Sequence, residues 1–132
     1  MKYILMMTGT QTGVETYRSW SEQDRQAHMA ILMRIHKELS ESGEFVATEA
    51  LAGPDQAKVV RGEKEGLPVT EAILPESKEV LLGYWIVDVK TPERAYAIAG
   101  RISAAQGPGG VPTNMPIEVR QVTTSRQSSH TG

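Results

Sequence analysis

The chain has 132 residues, 14 basic and 16 acidic, and a formal charge of −2. That is the size of one compact domain, long enough to bury roughly two-thirds of its unfolded surface without a metal or a crosslink. The absence of cysteine excludes disulfide frameworks, zinc–thiolate centres and cysteine nucleophiles, and no two Lys or Arg residues are adjacent, which argues against a nucleic-acid partner.

The first element is the apolar run Tyr3 to Met7, ended by Thr8-Gly9. Five residues are too few for a secretory core or a membrane span, so the run reads as a buried strand. With no cysteine to oxidise, the expected location is cytoplasmic, with no membrane partner. Residues Thr8 to Arg18 are polar, carry two glycines and read as a loop.

A helix is predicted from about Trp20 to Ser42. Ser19 and Ser21 are both candidate caps, and Glu22 lies three residues after Ser19 as in a capping box. His28, Ile31, Leu32, Ile35 and Leu39 share one face, and Gly43 stands where a C-terminal glycine belongs. Met6, Met7, Met29 and Met33 would form a soft packing cluster if the first strand met this helix.

Phe45 to Thr48 reads as a second strand. Lys58 to Arg61 and Pro68 to Glu71 flank a polar glycine-containing stretch and read as a peripheral hairpin. After a charged break at Pro75 to Glu79 comes the most apolar strand, Val80 to Val89. Leu82, Tyr84, Ile86 and Asp88 take one side; Leu81, Gly83, Trp85, Val87 and Val89 take the other. Both sides are largely apolar, so both need a cover: helices on one, a second subunit on the other.

Thr91-Pro92-Glu93 is a strong helix start, and Ala95, Ile98, Ala99 and Ile102 form the inner face of that helix. Gln106 to Pro116, with three Gly and three Pro, is a loop, and Ile117 to Val122 is a final strand. The domain is expected over residues 1–122, with 123–132 a disordered polar tail. The order is a ferredoxin-like βαββαβ of the α+β class with an inserted β-hairpin, and its uncovered sheet face predicts a homodimer.

Several stretches resemble the YCII-related proteins, in particular the subgroup named for a D-G-P-F motif. They are M-K-Y-I-L-M-M at the start, A-H-M-A from Ala27, S-G-E-F before the second strand, V-T-E-A-I-L-P-E-S-K-E, G-Y-W-I-V-D-V and I-E-V-R-Q-V. The matches are collinear to about Val122. Where the subgroup has D-G-P-F, this chain has Glu71-Ala72-Ile73-Leu74: the acid is kept in kind and the Gly-Pro turn is gone. The Gln106 to Pro116 loop is also longer than in the family pattern. The resemblance implies a dimeric α/β barrel made by packing two open sheet faces together. Some YCII-like proteins are similar to small enzymes acting on aromatic-derived lactones or chlorinated ring compounds. A catalytic His–acid pair proposed for relatives maps onto His28 and Glu71.

Read for chemistry, His28 on the apolar stripe is either a general base near neutral pH or a buried imidazole bonded to a backbone carbonyl. Glu71 either orients His28 or is a solvated acid. Tyr84 is a pocket-lining phenol or a packing aromatic. Arg61 and Arg120 are lone strand cations suited to a carboxylate ligand or to surface and dimer ion pairs. Asp88 more often terminates a strand than serves a site. His36 and His130 read as exposed, and without convergent ligands neither a metal nor another cofactor is expected. Gly107-Pro108-Gly109-Gly110 does not open a helix after a strand and is no phosphate loop. The functional expectation is a small organic ligand beside His28, with proton abstraction or elimination as the chemistry. The alternative is a non-catalytic binding or regulatory dimer.

Overall fold

The computed structural model describes residues 1–62, 68–72 and 78–124. Residues 63–67, expected to connect the hairpin, Ile73 and Leu74, residues 75–77 of the expected break, and residues beyond 124, with His130, lie outside the described residues.

The elements are β1 (Lys2–Gly9), α1 (Gln11–Ser19), α2 (Glu22–Ser42), β2 (Phe45–Ala50), β3 (Lys58–Gly62), β4 (Pro68–Ala72), β5 (Val80–Asp88), α3 (Pro92–Ser103) and β6 (Ile117–Gln121). Four strands form one antiparallel sheet in the order β2-β5-β1-β6. This is the ferredoxin-like order, with the longest apolar strand, β5, and β1 at its centre. β3 and β4 pair with each other as a separate two-stranded sheet.

The alternation along β1 and β5 decides which side chains meet the helices. Tyr3 lies opposite Val87, and Leu5 opposite Trp85. These four pack with Ile35 and Leu39 of α2 and with Ala95, Ile98, Ala99 and Ile102 of α3 in one buried cluster. Leu5, Leu39, Val87 and Ile98 are fully buried. Ile4, Met6, Tyr84 and Ile86 project from the opposite side and are only half-buried. On the edge strand, Arg120 faces Ile4 and Glu118 faces Met6.

Two features depart from the sequence reading. Thr8 to Arg18 is not a loop: Thr8 and Gly9 end β1, and from Gln11 the stretch is α1, capped by Thr10, whose Oγ accepts from the Gly13 amide at 3.0 Å. The helix buries no residue completely, and its apolar residues are only Val14 and Tyr17, too few to declare a helical face. The capping box centred on Ser19 is replaced by Ser21, whose hydroxyl accepts from the Asp24 amide at 3.0 Å. Ser19 is still inside α1, and the chain turns only at Trp20.

At the other end of α2, Gly43 takes the left-handed conformation (φ 79°) that favours glycine, and its amide closes on Leu39 and Ser40. Thr91 caps α3 through the Arg94 amide at 3.2 Å, with Pro92 leading the helix. The methionine cluster does not form. Met29 and Met33 lie on the solvent side of α2, because the face carrying His28, Ile35 and Leu39 is turned to the sheet. His36 is half-buried, its ring 4.1 Å from that of Phe45, rather than exposed.

Candidate functional site

His28 lies where α1, α2 and the 106–116 loop converge. Trp20 has extended backbone between the two helices. The guanidinium of Arg25, one turn into α2, donates to the carbonyls of Arg18 (2.8 Å) and Trp20, so the turn is clamped by a cation at carbonyls the helix end leaves free. This sets the Trp20 indole 5.5 Å from the His28 ring in edge-to-face contact, with Tyr17 packed 4.9 Å from the indole. His28 as a residue is 8% exposed, and it is the buried polar residue among the described residues.

The loop supplies its partner. His28 Nδ1 is 2.9 Å from the carbonyl oxygen of Gln106. That carbonyl is held in place by a folded-back loop. The Gly107 amide donates to Val111 O at 2.8 Å, the Thr113 amide to Ala105 O at 3.1 Å, and the Asn114 amide to Ser103 O at 2.9 Å. Ser103 Oγ donates to Met115 O at 2.6 Å. Gly107 is required by close approach, since a Cβ there would stand 2.9 Å from the Trp20 ring. The aromatic corner and the loop therefore fix each other. Among the described residues no hydrogen bond reaches the other ring nitrogen, Nε2.

The other candidates lie elsewhere. Glu71 is in β4, and its carboxylate takes the Arg61 guanidinium at 2.9 Å, with both side chains more than half exposed. No hydrogen bond or ion pair among the described residues joins Glu71 to His28. Tyr84 and Arg120 share the open face of the sheet, while His28 sits on the helix layer that covers the other face. Arg120 has Glu118 at 3.7 Å and both are exposed. Asp88 accepts from the N-terminal ammonium at 3.0 Å. His28 is carried on α2, Glu71 on the two-stranded sheet, and Tyr84 and Arg120 on the open face of the four-stranded sheet.

One two-pronged ion pair was not read from the sequence. Arg94, at the start of α3, forks onto Glu44 with two bonds of 2.8 Å, joining that helix to the α2–β2 turn. The guanidinium holds the Glu44 carboxyl below the usual carboxylate range, partial burial opposes this, and the Ser42 hydroxyl assists the lowering. Arg94 is raised in return, first by its bonds to Glu44. The pair lines a cleft of about 700 Å³ together with Met1, Ser42, Gly43, Asp88, Val89 and Lys90. Two further clefts run along the outer side of α2 and beside Tyr96 and Met115. His28 lines none of these three. Among the described residues no group of three His, Asp or Glu side chains is placed to hold a metal ion, and no helix is long and apolar enough to cross a membrane.

A family model for the YCII-related domain matches residues 1–119. No curated protein matches the chain.

Proposed function

The chain belongs to the YCII-related family, and from that premise we propose a homodimeric protein that binds a small organic molecule beside His28, which carries a proton in its chemistry. The observation behind this reading is a buried imidazole held by a backbone carbonyl, with its second nitrogen unpaired among the described residues. Such a nitrogen can take a proton from a bound molecule, and the carbonyl already sets the orientation of its ring. In a proton abstraction it takes the proton, and the bonding pair stays on the substrate; in an elimination that pair expels the leaving group. Tyr17 and Trp20 offer aromatic surface next to it.

The dimer is proposed through the open sheet face. Its apolar centre of Ile4, Met6, Tyr84 and Ile86, with Glu118 and Arg120 on the edge strand, has the apolar-centre, polar-rim layout of an interface. In this reading Tyr84 and Arg120 serve association, and Arg61 and Glu71 brace the hairpin arm.

The test is a panel of small aromatic and aliphatic hydroxy, keto and carboxylic acids and their neutral analogues, screened by NMR on the whole chain. Saturable binding that moves the His28 ring signals, and that is lost in His28→Phe, supports the reading. Binding elsewhere, or to no member of the panel, contradicts it. A second reading, a dimer whose function is association alone, is favoured by the open location of Glu71 and by the absence of His28 from the three clefts. That reading predicts no such binding.

A further inference from the structure

We propose that the neutral imidazole of His28 is held as the Nδ1–H tautomer by the Gln106 carbonyl, and that Nε2 is therefore the atom presented to a ligand donor. The argument begins with the chemistry of the partner. A backbone carbonyl only accepts, so at 2.9 Å the Nδ1 atom must carry the hydrogen. Neutral imidazole has one ring hydrogen, so Nε2 is left with its lone pair. Free histidine has no such bias toward Nδ1–H, so the protein has to supply it, and the supplier is the loop rather than a carboxylate.

Gln106, Gly107 and Trp20 are then positioning residues. The indole occupies the space that a side chain at 107 would fill, and the loop's backbone bonds to Ala105, Ser103 and Val111 hold the carbonyl in line with the ring. The inference deepens the function proposed above and rests on it for the ligand's role, though the tautomer itself does not depend on any ligand. It also narrows the ligand class. A neutral Nε2 acceptor takes a hydrogen bond from a hydroxyl, as in a phenol or an enol. An ionised carboxylate has only acceptors and finds no partner there. The ligand class that follows from this chemistry is a hydroxyl donor, a phenol or an enol.

The experiment is long-range ¹H–¹⁵N NMR of the imidazole rings in the full chain, above the pH at which His28 is protonated, with its signals assigned by their loss in His28→Asn. The expected result is a protonated-type Nδ1 shift and an unprotonated-type Nε2 shift. An Nε2–H pattern, or two averaged shifts, overturns the proposal. Gly107→Ala, which drives the loop from Trp20, should move both shifts toward the average, and Glu71→Gln should leave them in place. If Glu71→Gln moves them while Gly107→Ala does not, the carboxylate is the orienting group and the loop is not. Should Gly107→Ala fail to fold, the wild-type pattern and Trp20→Phe carry the test. With phenol and benzoate as probes, phenol should shift the Nε2 signal and benzoate should not; the reverse order overturns the ligand class. Absence of binding by either, with the Nδ1–H pattern intact, counts against the proposed function and leaves the tautomer standing.

Discussion

The two faces of the four-stranded sheet are made from the same strands and have different fates. On one, Tyr3, Leu5, Trp85 and Val87 are buried under α2 and α3. On the other, one residue along each strand, Ile4, Met6, Tyr84 and Ile86 are left half-buried. Alternation with period two accounts for the split, and it shows that apolar content alone does not say which side is core. The covering helices decide that. The side they leave bare is the one proposed to find a second chain.

The sharpest way to test the contrast is to truncate neighbours on β1. Leu5→Ala removes a fully buried side chain and should cost about 2–5 kcal/mol, read as a loss of unfolding free energy in urea. Ile4→Ala, one residue away, should cost much less at low protein concentration. Its effect should grow with concentration, because a dimer contributes stability by mass action. Equal, concentration-independent losses would erase the distinction between the faces.

Ile86→Lys places a charge at the centre of the open face. It should weaken association by on the order of 2 kcal/mol or more, as loss of a central anchor does, while the circular dichroism of the fold is retained. Unchanged association in sedimentation velocity would move the interface elsewhere.

The ion pairs repeat the contrast on a smaller scale. Glu44 and Arg94 bridge two elements of the covered side, whereas Arg61 and Glu71 lie exposed on the two-stranded sheet. Because the folded Glu44 carboxyl is lowered, its contribution is complete above the usual glutamate value of about 4.3 and is lost as pH falls through the lowered folded value. Glu44→Gln should therefore cost about 1 kcal/mol near pH 7 and should flatten the acid limb of the stability profile. Arg61→Ala should change stability by no more than about 0.5 kcal/mol. A larger loss for Arg61 than for Glu44 would reverse the ranking.

These ranks follow from how the chain declares itself. The α3 start and the Gly43 end were legible because a cap, a leading proline and a C-terminal glycine act within a few residues, whereas at the α2 start two serines competed and Ser21 is the cap. The strands of the sheet and the inner faces of α2 and α3 were legible from apolar spacing. Helix α1 was not, since Thr12, Gly13 and Thr16 are weak helix formers and its one local signal was Thr10 placed three before Gly13. Nor was the partner of His28. Gln106 lies 78 residues away, and it is the backbone of that residue, not its side chain, that makes the bond. No pattern of residue types encodes a carbonyl's direction. Glu44 and Arg94 were overlooked for a similar reason, being 50 residues apart with nothing periodic to link them.

Sedimentation equilibrium of the unaltered chain across a wide concentration range tests the contrast between the faces most directly. The account predicts twice the chain mass at high concentration, falling toward the single-chain mass on dilution. A single-chain mass throughout would mean that Ile4, Met6, Tyr84 and Ile86 face water, and the homodimer would be refuted.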